Sequence, residues 1–269
     1  MWNRLCMRST WWWTRMFSDS SVGFEQLSKP ANPALKVLCF PHAGGSANWF
    51  RCWKDTAEAE SIELWAAQYP GHMGSFSLPP ARSIEELAGS FLFALAKKDV
   101  SQLILFGHSM GALVAYEVAA QAHDAGIRFG SVHLSGCRSP SSPPELLRSA
   151  MSDESLVASI GLLDDSAQNV LEIPEIAEIM LPMLRKDLCM GEEYLVEPKP
   201  LEGPIHLHAA RNDPEFFPSD AEGWQPYSVR ENSIHVYEGM HFYLKNECAA
   251  IFAAMKNLTV ARQNEGGQR

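Results

Sequence analysis

Residues 107–111 of this chain read Gly107-His108-Ser109-Met110-Gly111. A glycine two places before and two places after a serine suits a sharp strand-to-helix turn. Such a turn strains the backbone at the serine and leaves no room for side chains at those flanking positions. The chemistry that the hydroxyl could do there is attack on an acyl carbon. A serine hydroxyl is a weak nucleophile until a base takes its proton. The assignment of Ser109 therefore depends on finding a base, an acid to orient it and two backbone N–H donors for the developing oxyanion.

The chain has nine histidines. His133, His206, His208 and His235 fall within strand-like runs, where a satisfied core or face histidine is the expected role. His108 adjoins the serine, and side chains of adjacent residues on a turn point apart. His72 follows Pro70-Gly71 in a loop, and His123 sits in a helical pattern. His241, in Glu238-Gly239-Met240-His241-Phe242, comes just after the last strand-like run and before a final helix. Where a serine turn of this kind opens a helix, the partners follow in the order serine, acid, histidine. His241 meets that order and falls at the same sheet edge. For the acid, Ala210-Arg211-Asn212-Asp213-Pro214 directly follows the fifth strand-like run, making Asp213 the first choice and Glu215 the second. One oxyanion donor is expected from the Met110 amide. The other is expected from the loop Phe40-Pro41-His42-Ala43-Gly44-Gly45-Ser46, from Ala43 or, close behind it, Gly44. His42 is expected to brace that loop.

These residues need a scaffold, and the hydrophobic pattern supplies one. Short apolar runs bounded by turn residues predict strands at 35–40, 63–69, 102–106, 131–135, 204–209 and 233–237. Helical periods lie between most of them. Ser83 with Glu86 reads as a capping box ahead of Leu87, Phe91 and Leu95. Alternating strand and helix predicts an α/β fold with a mostly parallel sheet flanked by helices. The alternation stops from about 139 to 200, where only helical patterns appear. The longest, about Pro174 to Tyr194, carries an apolar stripe of Ile176, Ile179, Met180, Met183, Leu184 and Leu188. Core packing would explain the stripe. The size of the block, too large for a simple crossover, favours a helical lid over the sheet edge.

Composition bounds the rest. The chain of 269 residues has 46% hydrophobic content and a net charge of −10. That is enough for one sizeable domain, and the acidic balance disfavours nucleic acid. Its six cysteines form no C-x-x-C pair, which with a large core points to a reducing, cytoplasmic setting. No apolar run reaches the roughly 18 residues of a membrane helix. The first residues, with Trp11-Trp12-Trp13 among Arg4, Arg8 and Arg15, do not make a signal peptide. The organisation expected is a disordered extension at 1–33, one domain at 34–258 with its lid at about 139–200, and a disordered tail at 259–269.

With these pieces together, the chain resembles type II thioesterases, the discrete editing enzymes of nonribosomal peptide and polyketide synthesis, and the medium-chain thioesterases that act beside fatty acid synthase. The resemblance spans about Leu35 to Met255. It is carried by Cys39-Phe40-Pro41-His42-Ala43-Gly44-Gly45-Ser46, Gln68-Tyr69-Pro70-Gly71-His72, Gly107-His108-Ser109-Met110-Gly111-Ala112, Leu181-Pro182-Met183-Leu184-Arg185-Lys186-Asp187 and Gly239-Met240-His241-Phe242-Tyr243-Leu244. Two positions depart from the family pattern: Met240 replaces a glycine, and His72 replaces an arginine. The resemblance implies the α/β-hydrolase fold, no metal or organic cofactor, and a monomer that hydrolyses acyl groups from the phosphopantetheine arm of acyl or peptidyl carrier domains. A −10 protein needs a local patch to meet a carrier that is itself acidic. Arg138, Arg148 and Arg185-Lys186 are candidates, although solvated charge is the plainer reading of each. Rival readings are a carboxylesterase or medium-chain acyl thioesterase on the same fold and, in another class, a non-catalytic scaffold that docks on carrier domains.

Overall fold

A computed structural model describes residues 22–96 and 98–266. Seven strands form one sheet in the order β1-β3-β2-β4-β5-β6-β7. They are β1 (Gly23–Ser28), β2 (Leu35–Phe40), β3 (Ile62–Gln68), β4 (Leu103–His108), β5 (Ser131–Ser135), β6 (Ile205–Ala210) and β7 (Ser233–Tyr237). β2 to β7 pair in parallel, and β1 joins β3 antiparallel at the edge. The helices are α1 (Lys54–Ala59), α2 (Ile84–Leu95), α3 (Met110–Asp124), α4 (Asp153–Gly161), α5 (Asp165–Leu171), α6 (Pro174–Glu193) and α7 (Cys248–Gly266).

Helices cover both faces of the sheet, and the central strands β2 and β4 are buried almost throughout. Alternate residues along a strand face opposite sides. Leu38 and Phe40 of β2 and Leu105 of β4 join the core under α2 and α3, with Phe91, Val114 and Tyr116. Val37 and Cys39, with Ile104 and Phe106, join the opposite core of Trp53, Ile251 and Phe252. His133 and His208 are satisfied polar groups within this packing. Ser131 Oγ pairs with His133 Nε2 at 3.0 Å, His133 Nδ1 with His208 Nε2 at 2.9 Å, and His208 Nδ1 with the Tyr237 hydroxyl at 2.8 Å.

Several expectations change. The segment 1–33, set aside as an extension, contributes β1. Its glycine start and mixed composition hid an edge strand that buries Leu27 and packs Phe24 against Phe91. The tryptophan-rich stretch at 11–13 lies outside the described residues. At the other end helix α7 continues into the expected tail as far as Gly266. At the start of α2 only half of a capping box forms. Ser83 Oγ accepts the Glu86 N–H at 3.2 Å, but the Glu86 carboxylate turns to the backbone N–H and guanidinium of Arg82 instead of the Ser83 amide.

Within 139–200 the secondary structure is helical, running from a short turn at 148–150 through α4 and α5 to α6, with α4, α5 and α6 packed around Leu156, Leu171, Leu181 and Leu184 as a small cluster of its own. Arg185 binds it together, donating to the carbonyls of Ser149 and Met151 and to the Asp153 carboxylate. The buried face of α6 matches the expected stripe in part: Leu184 is buried in the lid core, with Met180 and Leu188 packed against it. Ile179 is 59% exposed, whereas Leu181, Leu184, Asp187 and Met190 are buried. The helix is rotated to present a carboxylate inward, which is affordable only because that carboxylate finds partners.

Candidate active site

Ser109 stands between β4 and α3 with φ 55° and ψ −125°, a left-handed conformation for a residue with a side chain. Holding a non-glycine there costs about 1–3 kcal/mol and needs a surrounding that fixes it. The two glycines show how it is fixed. A β-carbon on Gly107 would sit 2.0 Å from the Gly111 carbonyl oxygen, and one on Gly111 would sit 2.1 Å from the Phe40 carbonyl oxygen. Neither position tolerates alanine without moving backbone. The Ser109 N–H donates to the Ser135 carbonyl at 2.8 Å, tying the turn to β5. The serine also starts α3, whose N-terminus favours negative charge.

Asp213 lies in the loop after β6 and is fully buried; His241 lies after β7 and is 2% exposed. His241 Nδ1 meets both carboxylate oxygens of Asp213, at 3.0 and 2.9 Å. A proton on Nδ1 leaves Nε2 free to act as a base. Glu215 is excluded as the orienting acid: its carboxylate pairs with the Arg148 guanidinium at 2.7 and 2.9 Å, and its backbone N–H donates to Asp213 Oδ1 at 2.9 Å. The His108 ring packs 4.7 Å from that of His241, with His108 Nδ1 3.0 Å from Ser135 Oγ. Burial, and then the neighbouring His241 and His42, hold His108 neutral by pushing its pKa well down. Ser109 Oγ makes no hydrogen bond among the described residues. Such bonds are often long in serine sites without substrate and tighten when it binds.

The loop after β2 approaches this turn. His42 braces it, its ring packed against Trp49 and Phe242 and its carbonyl accepting the Gly45 N–H at 2.9 Å. Burial, followed by the charge of His241, lowers its pKa to about 3. Gly44, the alternative oxyanion donor, has its N–H directed to Asp187 Oδ2 at 2.7 Å. The Ala43 and Met110 amides have no protein acceptor among the described residues, and both residues line the same cleft as Ser109. Asp187 of the lid also meets His72 Nε2 at 2.7 Å. The sequence signal for this pair was thin: a carboxylate three residues after Leu184 on a helix face otherwise apolar.

The cleft has a volume of about 340 Å³ and lies between the Ser109 turn and the lid. Its floor includes Cys137, whose thiol pKa is raised to about 12 by burial and then by Glu215 and Asp213, so it is not a competing nucleophile. The arginines offered as a docking patch are engaged within the fold. Arg148 pairs with Glu215, Arg185 ties the lid, and Arg138 bonds Glu145 and the Glu215 carbonyl. Among the described residues no group of histidine, cysteine, aspartate and glutamate could hold a metal, no cysteine is in a disulfide, and no helix is long and apolar enough to cross a membrane.

A parallel sheet with this helical insertion and a strained serine between β4 and α3 defines the α/β-hydrolase class. Comparison with known proteins narrows the class. A model of the thioesterase domain matches residues 35–257. The thioesterase PikA5 of Streptomyces venezuelae is 32% identical over 234 residues, covering 85% of this chain and 82% of its own. Among solved structures, RedJ, a thioesterase from the prodiginine pathway of Streptomyces coelicolor, superposes with a TM-score of 0.76 at 30% identity, covering 86% of this chain and 87% of its own. BorB, a type II thioesterase from the borrelidin cluster, does so with a TM-score of 0.78 at 32% identity, covering 88% and 97%. The chain belongs to the thioesterase domain family and is a hydrolase of thioester bonds.

Proposed function

We propose that this thioesterase releases acyl groups from the phosphopantetheine arm of carrier domains, clearing blocked carriers in nonribosomal peptide or polyketide synthesis. The observation that carries the reading is the buried His241–Asp213 pair in the loops after β7 and β6, at the same C-terminal edge of the sheet as the strained Ser109. His241 takes the proton from Ser109 Oγ as the oxygen attacks the thioester carbonyl. Asp213 holds the tautomer and stabilises the imidazolium without taking the proton. The oxyanion is received by the N–H groups of Met110 and Ala43. The pantetheine sulfur leaves as a thiol after receiving the proton from His241. Water then attacks the acyl-serine, giving its proton to His241, and His241 returns that proton to Ser109 Oγ as the acyl–oxygen bond breaks and the acid departs.

Entry of a long thin arm past exposed Leu146 and Leu195 on the cleft rim relies on apolar contact, since the nearby arginines are neutralised within the fold. The test is hydrolysis of acyl-pantetheine thioesters and matched oxygen esters by the wild type and Ser109→Ala. The expected result is preference for thioesters and loss of turnover in the variant, whose melting temperature stays near wild type. Retained hydrolysis in Ser109→Ala would remove the assignment. Preference for oxygen esters would make the protein a carboxylesterase, and lack of fluorophosphonate labelling in the wild type would leave a scaffold that only binds carriers.

A further inference from the structure

The lid and the oxyanion loop meet at one buried carboxylate. Asp187 is 1% exposed and lines the same cleft as Ser109 and Ala43. Its Oδ2 accepts the Gly44 N–H at 2.7 Å and faces His72 Nε2 at 2.7 Å. His72 Nδ1 faces the Pro70 carbonyl oxygen at 3.1 Å. A carboxylate and a carbonyl can only accept. A neutral imidazole has one N–H and can satisfy one of them; the imidazolium has two and satisfies both. Gly44 itself sits at φ +73°, and a β-carbon there would lie 3.2 Å from Leu184 Cδ1, so the loop is pressed against α6 at that residue. From the other side the Tyr69 hydroxyl donates to the Pro41 carbonyl at 2.9 Å.

We propose that Asp187 and His72 are positioning residues for the oxyanion loop, and that protonated His72 is needed to hold it in its working shape. The inference rests on the reading of Ser109 as nucleophile and Ala43 as oxyanion donor. By engaging the Gly44 N–H, Asp187 sets the peptide that follows Ala43 and so aims the Ala43 N–H into the cleft. A carboxylate beside the place where an oxyanion develops would oppose the reaction if it stood alone. The imidazolium cancels that charge. Loss of the proton undoes both effects, because one hydrogen bond of His72 fails and the carboxylate is left uncompensated.

The groups that face His72 are few. Asp187 comes from α6. Tyr69 comes from the end of β3, its ring centre 5.4 Å away, and burial followed by the charge of Asp187 raises its pKa well above the ordinary value. His42 comes from the oxyanion loop and is held neutral with a pKa of about 3. Burial would lower the pKa of His72, but the Asp187 hydrogen bond and charge, with the Pro70 carbonyl, outweigh it and raise the value. A raised pKa in the folded protein means that the contact is complete on the acidic side and fails as pH rises through that value.

The test is kcat and KM for an acyl-pantetheine thioester over about pH 6–9.5, the span in which a perturbed histidine titrates, with wild type, His72→Gln, His72→Arg and Asp187→Asn. Wild-type kcat is expected to fall on the alkaline side with KM nearly constant, since a misaimed donor acts on the transition state. His72→Gln and Asp187→Asn should each lower kcat, by up to about 100-fold, and lose the alkaline fall. His72→Arg keeps the charge at every pH, so it should rescue kcat relative to His72→Gln and stay active where wild type declines. An alkaline fall that persists unchanged in His72→Arg, or losses confined to KM, would overturn the proposal. If His72→Gln fails to fold, as judged by thermal melting, the wild-type and His72→Arg profiles still decide. Inactive Ser109→Ala together with wild-type profiles in the His72 variants would refute the positioning role alone, whereas activity surviving Ser109→Ala would refute the reading beneath it.

Discussion

Asp213 shows how much can hang on which nitrogen carries a proton. Its carboxylate spans His241 Nδ1 with both oxygens and takes the Glu215 N–H as well, with no access to water. Asp213→Asn keeps the volume but offers an amide N–H to the ring, favouring the tautomer that cannot accept from Ser109. The expected result is a fall in kcat of about 10⁴-fold with KM little changed, measured by steady-state hydrolysis. The strand-to-helix turn at Ser109 was readable from the sequence because the strand and the flanking glycines constrain it locally, and the chain order singled out His241 as its proposed partner. On sequence Asp213 is preferred to Glu215 because it comes sooner after the fifth strand-like run; what the sequence does not show is the Arg148 side chain, which arrives from 67 residues away and engages Glu215. The His72–Asp187 pair spans 115 residues, and no local pattern announces it.

At the scale of elements, the lid is joined to itself more than to the sheet. Arg185 and Glu192 link α6 to the turn 148–151, and Arg185 also reaches the start of α4. Arg185→Ala should leave the sheet intact and loosen this block. The measurement is amide hydrogen exchange, with faster exchange expected in 148–161 and unchanged protection in β4 and β5. The stability loss should be about 1–3 kcal/mol, from two carbonyls and a carboxylate losing a charged donor. The positions of β2 to β7 were legible to within a residue or two, with β2, β5 and β7 matching at both ends, because each is rich in apolar residues and bounded by turn formers. The inward face of α6 was legible only in part. Its phase follows from a buried carboxylate whose partners lie outside the helix, and hydrophobic periodicity counts such a residue as polar and outward. β1 was missed for a related reason: only Leu27 and Ser28 of its six residues are fully buried, so its pattern is that of an edge and not of a core strand.

For the whole molecule, β1 closes one side of the sheet by pairing with β3 from Gly23 to Ser28. Removing residues 1–28 should uncover the β3 edge along with the apolar surface under Phe24 and Leu27. The expected loss is at least about 3 kcal/mol, together with self-association, checked by thermal melting and light scattering against the full chain. A truncated protein that melts and sediments like the intact one would mean that β1 is decoration. The overall charge of −10 was legible at once, but its consequence was not. Arg138, Arg148 and Arg185 near the cleft carry internal ties, and of the cations the sequence offered as a patch Lys186 alone has no such tie among the described residues.

The two glycines that flank Ser109 have a consequence for how such enzymes diversify. With carbonyl oxygens within about 2 Å of where side chains would begin, the nucleophile's strand, its helix and the loop after β2 interlock as a single rigid block. Neither of these glycines can take a side chain without moving backbone. The opposite wall of the cleft is made by the helical insertion, which has its own core. New acyl preferences can therefore accumulate there, generation after generation, while the reacting atoms stay where they are.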